Sequence, residues 1–181
     1  MTRAFVVALL GAESTGKTTL ARDLGNALEE RGEDVVVVGE YLREFCDAEG
    51  RTPRREEQRA IAAEQTRRIE AAAAQAQVVV ADTSAVMIAV YSEMVFGDTG
   101  LHAEAAVAHR AYDLTLLTAL DLPWLADGLQ RDGPHVREPV DARVRAALVD
   151  ADIAFSRVGG LGAARFQEAL RLVDQERRGG R

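Results

Sequence analysis

Residues 11–18 read Gly-Ala-Glu-Ser-Thr-Gly-Lys-Thr, and Lys17 within them is the sole lysine in 181 residues; every other basic side chain is arginine. Arginine supplies a fixed planar charge, whereas lysine supplies a compact ammonium on a flexible stem. The spacing G-x-x-x-x-G-K-[ST] is that of a phosphate-binding loop. Gly11 and Gly16 let the backbone N–H groups of Glu13, Ser14, Thr15 and their neighbours curl around phosphate oxygens. Lys17 can reach the β- and γ-phosphates, the Thr18 hydroxyl can sit on Mg²⁺, and Thr19 continues the phosphate-facing turn. Such a loop needs a strand before it and a helix after it. Phe5–Leu10 is a continuous apolar run of strand length, and Leu20, Leu24, Ala27 and Leu28 recur at helical spacing.

Two acids are placed to work with this loop. Asp82 closes the apolar run Val78-Val79-Val80-Ala81. An acid at the carboxyl end of such a strand in a P-loop protein holds Mg²⁺ directly or through water. The competing use of Asp82 is to cap the next helix or make a turn. Glu40 follows Val35–Val38 and Gly39 and leads into Tyr41-Leu42-Arg43-Glu44. Ligands of open α/β sheets bind outside the carboxyl ends of strands, so Glu40 is expected in the same cleft. There it can accept a proton from an attacking hydroxyl, while Arg43 holds substrate phosphate or developing charge. A plain solvated Glu–Arg turn is the alternative.

Residues 121–138 contain two glycines, two prolines, Trp124, Asp127, Arg131 and Arg137. This is poor core material and suits a lid that brings arginines to phosphates. Trp124 can stack on a base or pin the lid to the domain. Gly159-Gly160-Leu161-Gly162, with Arg165 just beyond, either lets backbone approach a nucleotide base or is only a tight turn. His102, His109 and His135 lack ligand spacing for zinc.

The elements that must position these residues alternate. Apolar runs at 5–10, 35–38, 78–81, 114–117 and 153–158 are separated by helical patterns, which predicts an α/β fold with a mostly parallel sheet. Helices are expected at 54–76 (with Thr52 as cap and Pro53 in the first turn), from 85 to about 96, at 101–112, at 137–150 and at 163–176, with the last five residues frayed. The size suits one domain spanning 1–181. A net charge of −7 disfavours a general nucleic-acid partner, and no apolar stretch is long enough for a membrane helix. The single Cys46 rules out an internal disulfide. The first strand and the phosphate loop occupy the positions a signal peptide would take, and its cleavage would remove the phosphate site, so a cytoplasmic location is expected. Oligomeric state is left open.

The segments Gly-Ala-Glu-Ser-Thr-Gly-Lys-Thr-Thr-Leu at 11–20, Glu-Tyr-Leu-Arg-Glu at 40–44, Asp-Thr-Ser at 82–84 and Pro-Trp-Leu-Ala-Asp-Gly-Leu at 123–129 occur in this order. Together they resemble the ribosylnicotinamide kinase domain of bacterial NAD-biosynthesis regulators, within the AAA-like P-loop ATPase and kinase family. The resemblance implies a three-layer fold, strand order 2-3-1-4-5 and a lid. It also implies ATP with Mg²⁺ and phosphoryl transfer to the 5′-hydroxyl of nicotinamide riboside, a small nucleoside. Carried over, Gly16, Lys17 and Thr18 bind phosphate and metal, and Thr18 with Asp82 makes the metal site. Lys17, Glu40, Asp82 and Arg131 form the catalytic set. Glu40, Tyr41, Arg43, Trp124 and Asp127 face the acceptor, and Arg165 lies by the nucleotide. In this chain Gln130 stands between Asp-Gly-Leu and Arg131. The DNA-binding and adenylyltransferase functions of those regulators do not transfer. Kinases of other nucleosides or nucleotides, and a nucleotide-driven switch with a protein partner, are the alternatives.

Overall fold

The computed structural model of the chain describes residues 3–125 and 133–179. Five parallel strands form one sheet: β1 (Phe5–Leu10), β2 (Val35–Val38), β3 (Val78–Asp82), β4 (Leu114–Thr118) and β5 (Ser156–Val158), in the spatial order β2-β3-β1-β4-β5. Parallel neighbours must be joined by crossovers, and here these are helices: α1 (Lys17–Glu29), α2 (Tyr41–Glu49), α3 (Gln58–Ala73), α4 (Ala85–Phe96), α5 (His102–His109), α6 (Arg137–Asp150) and α7 (Ala163–Gly179).

The central strands β1 and β3 read as apolar runs because both sheet faces are covered there, while the edge strands β2 and β5 are only partly buried. Val7, Leu9, Val78, Val80 and Leu116 pack under Leu20, Leu24 and Leu28 of α1 and Ala169, Leu170 and Val173 of α7. Leu10 and Leu117 meet Ile88 and Val90 of α4 and Val144 and Leu148 of α6 on the other face. Ile69 and Ala72 of α3 cover Val6, Val79 and Ala81 on that side. Gly25 lets α1 press onto β2, since a Cβ there would stand 2.4 Å from Val37 Cγ2.

The register sets up the site. Leu9 pairs with Asp82, and Leu10 pairs with Leu117. The carboxyl ends of the three central strands therefore finish side by side, and Gly11, Thr83 and Thr118 emerge together.

Three sequence expectations are corrected. The run at 153–158 yields only three strand residues, because Asp152 turns at φ 53° and Ile153 N–H bonds back to Leu148 O at 2.9 Å. The third helix does not begin at 54 under a Thr52 cap. A 3₁₀ turn at Arg55–Glu57 precedes it, and the Glu57 carboxylate reaches back to Arg54 N–H (2.7 Å) while gripping Arg51 at 2.7 Å through each oxygen. The last helix runs on to Gly179 instead of fraying after 176, with Arg177 bonded to Glu33.

Candidate active site

Between β1 and α1 the chain reverses through residues 11–16. Gly11 (148°), Ser14 (51°) and Gly16 (77°) all have positive φ, a region open to glycine and costly to others. Space enforces the choice at Gly11: a Cβ there would lie 2.1 Å from Thr118 Oγ1. That hydroxyl sits 3.1 Å from Leu10 O and 2.7 Å from Thr15 Oγ1, and the Thr15 hydroxyl donates to Ala12 O at 2.8 Å. The Lys17 ammonium donates to Gly11 O (2.8 Å) and Ala12 O (2.9 Å), so the loop's own carbonyls hold it at the mouth.

Thr18 donates to Asp82 Oδ2 at 2.5 Å. Asp82 is 2% exposed, and its Oδ1 has no partner among the described residues. The capping role belongs to Ser84, whose Oγ accepts from Val86 N–H at 3.3 Å, so Asp82 is left to the cleft. Thr83 turns the chain out of β3 at φ 83°, with a buried hydroxyl that also lacks a partner among the described residues. A β-branched residue in that region costs about 1–3 kcal/mol; the Thr83 N–H bond to Leu9 O at 3.0 Å helps hold it.

Glu40 starts α2 on extended backbone, and its side chain is 14% exposed. Burial pushes its carboxyl above the ordinary range. Lys17 pulls against this, Asp82 adds to it, and Arg43, whose Nε lies 3.6 Å away, again lowers it. Lys17 and Asp82 thus lie close enough to Glu40 to act on its charge, and at 14% exposure its side chain is largely shielded from solvent. Gln65 of α3 fixes the bend: its Oε1 accepts from Tyr41 N–H (2.8 Å) and its Nε2 donates to Gly39 O (3.2 Å). The Tyr41 ring lies under the Arg68 guanidinium, 4.3 Å from centroid to Cζ, so it packs on α3.

A cleft of about 510 Å³ opens beside the loop, lined by Gly16, Thr19, Leu20, Leu122, Arg165 and Phe166, a size that suits a nucleotide's base and sugar. Arg165 borders it as a strut. It is 4% exposed, donates to Thr15 O (2.5 Å) and Gly160 O (3.0 Å), and pairs with Asp121, which also accepts from Gly160 N–H at 2.6 Å. The Glu13 side chain, placed by sequence with the nucleotide, lines a different cleft with Leu42, Gln58 and Tyr91.

The segment after β4 is tied to the phosphate loop. Ser14 Oγ donates to Leu125 O (2.6 Å) and accepts from its N–H (3.3 Å), while Arg137 donates to Leu122 O (2.9 Å). Arg137 is 8% exposed and its Nε has no partner among the described residues. Trp124 is half-buried, with a shielded indole N–H that is also without a partner. Asp127 and Arg131 lie outside the described residues.

Sequence reading missed Thr118 and the bracing role of Gln65. A polar residue ending an apolar strand, and a glutamine on a stripe with Ile61, Ala62 and Ile69, were the available signals.

Residues 6–165 match the family described as AAA domain. No curated protein matches the chain. Among solved structures, NadR in complex with NAD and AMP-PNP superposes with a TM-score of 0.75 at 18% identity, covering 96% of this chain. NadR in complex with NR gives 0.76 at 18% and 96%. The chain spans 49% of each NadR chain. Thymidylate kinase from Ehrlichia chaffeensis gives 0.66 at 13% identity, covering 95% of this chain and 100% of that one. At such identities these likenesses establish a shared P-loop kinase fold. With a phosphate loop, a buried acid at the end of β3 and a family match over most of its length, the chain belongs to the AAA domain family.

Proposed function

We propose that the chain is an ATP-dependent kinase that phosphorylates the 5′-hydroxyl of nicotinamide riboside to give nicotinamide mononucleotide. The observation that carries a transfer reading is Glu40: a largely shielded carboxylate just beyond the carboxyl end of β2, 3.6 Å from Arg43 Nε and within the electrostatic reach of Lys17 and Asp82. A hydrolytic switch has no need of a buried base facing an acceptor. NadR solved with NR and the motifs at 40–44 and 123–129 support the choice of acceptor.

The residues present fit Mg²⁺: Thr18 and Asp82 offer hard oxygen donors, and Asp82 Oδ1 is buried without a partner among the described residues. When bound there, the metal would neutralise phosphate charge. Backbone N–H groups of residues 13–18 and the Lys17 ammonium hold the transferring phosphate. The acceptor oxygen attacks phosphorus, its proton passes to Glu40, and the bond to the departing ADP breaks. Arg43 steadies charge beside Glu40.

The test mixes protein, MgATP and nicotinamide riboside and follows the mononucleotide by chromatography. Rapid, stoichiometric product supports the proposal; none at high enzyme concentration removes this acceptor. The match to thymidylate kinase along that protein's whole length favours a second acceptor class, nucleotides, which ADP release over an acceptor panel would reveal. ATP turnover unaffected by any acceptor would instead favour a switch.

A further inference from the structure

On the α2 side of the phosphate loop lies the second cleft, walled by Glu13, Leu42, Pro53, Gln58, Tyr91 and Val95. Gln58, the first residue of α3, is 4% exposed, and its shielded Oε1 has no hydrogen-bond partner among the described residues. An unpaired buried polar atom costs about 1–3 kcal/mol, so such an atom calls for an explanation. The same helix shows what a settled glutamine looks like: Gln65 is fully buried and bonds through both ends of its amide. Gln58 instead borders a cleft whose other walls are mostly apolar. That is how ligand pockets are built, with a few polar groups among hydrophobic ones.

We infer that Gln58 reads the carboxamide of the acceptor's ring. A carboxamide offers an N–H donor and a carbonyl acceptor side by side, and a glutamine amide is its complement. Leu42, Pro53 and Tyr91 supply the flat apolar contact for a ring. Glu13, 7% exposed in the same cleft, favours the positive charge of a pyridinium and disfavours a carboxylate. The same ring carrying an acid in place of the amide would bring its oxygens against the Gln58 carbonyl and the Glu13 carboxylate. Leu42 lies two residues beyond Glu40, and Glu13 lies within the phosphate loop. A ring seated here therefore leaves its ribose between base and phosphate. The inference rests on the kinase reading for the acceptor's identity and adds a choice between amide and acid forms.

Calorimetric titration of the full chain with nicotinamide riboside, nicotinic acid riboside, thymidine and AMP-PNP tests it, for the native protein, Q58L and Q58E. Native protein should prefer the amide riboside over the acid by at least about tenfold. Q58L should lose about ten- to a hundredfold in affinity for the amide riboside and keep its AMP-PNP affinity, which reports an intact fold. Q58E should lose amide affinity too, because it removes the donor end. Equal affinity of Q58L and native protein for the amide riboside overturns the inference, as does equal affinity of native protein for both ribosides, or for neither. Turnover of an acceptor without a carboxamide, with no binding of nicotinamide riboside, overturns it while leaving a kinase. Gln58-dependent binding without phosphoryl transfer sustains it and removes the kinase reading.

Discussion

Replacing Gly11 with alanine perturbs the phosphate loop at the point where the geometry is least forgiving. The new Cβ would stand 2.1 Å from Thr118 Oγ1, 3.1 Å from Thr15 Oγ1 and 3.3 Å from Thr118 O, at a φ of 148°. The backbone conformation alone costs about 1–3 kcal/mol for a non-glycine residue. Thr118 is fully buried and can yield only by giving up its contacts to Leu10 O and Thr15 Oγ1, worth about 1 kcal/mol each. The expected loss is about 3–5 kcal/mol, a large share of the roughly 5–15 kcal/mol that holds a domain folded. Urea denaturation followed by circular dichroism reads it directly, and AMP-PNP titration reports the loop. Thr118→Ala separates the two causes. Alone it should cost about 2 kcal/mol, the two contacts of Thr118 Oγ1; added to Gly11→Ala it should cost nothing further, so the double variant falls about 2 kcal/mol short of the sum of the singles while the φ penalty remains. A G11A protein within 1 kcal/mol of the native one, or a double variant whose effects simply add, would refute the account of this loop.

Lys17→Ala should leave the fold intact and reduce ATP turnover at least about a hundredfold; unchanged turnover would remove the phosphate-loop assignment. Because burial holds the Glu40 carboxyl above the ordinary carboxylate range, kcat/KM should rise with pH through that elevated value. Glu40→Gln should abolish this limb and cost about 10²–10⁴ in transfer, with AMP-PNP affinity kept; a surviving limb assigns the base elsewhere. An acid with a raised folded pKa stabilises the fold fully below its unfolded value and loses that contribution as pH rises through the folded one. Glu40→Gln should therefore raise Tm at neutral pH, and a lowered Tm would contradict the burial argument. His109 bridges Ser84 Oγ and Thr115 Oγ1 at 2.8 Å each, and burial pushes its pKa down to about 4 from 6.5. The folded state then binds fewer protons than the unfolded one between these values. Stability should fall by on the order of 3 kcal/mol as pH drops from about 6.5 to about 4, and His109→Gln should flatten that slope. An unaltered slope in the variant would assign it to other groups.

What was legible beforehand was local or periodic. The phosphate loop is eight contiguous residues whose geometry depends on each other, so Gly11, Gly16, Lys17 and Thr18 could be assigned without a fold. The positions of Asp82 and Glu40 at the carboxyl ends of strands were legible because a parallel strand here reads as an apolar run that ends just before or at the acid. The resemblance at 40–44 and 123–129 carried the strand order. Boundaries at 54 and 153 were misread because long-range or turn contacts set them: Arg51 holding Glu57, and Asp152 at positive φ.

Tertiary structure alone decided which polar side chains are satisfied and which are left open. Thr118 meets Gly11 across more than a hundred residues of chain. Arg165, expected at the nucleotide, borders that cleft while giving its donors to Thr15 O, Gly160 O and Asp121. Glu13 sits in the loop but turns its side chain to the other cleft. Gln58 and Gln65 are seven residues apart on one helix, yet Gln65 is bonded at both ends and Gln58 has a shielded oxygen with no partner among the described residues. Nothing in their letters separates them. The difference arises because α3 packs against the bend after β2 at one end and borders a cleft at the other, and only the assembled neighbours supply or withhold a hydrogen-bond partner.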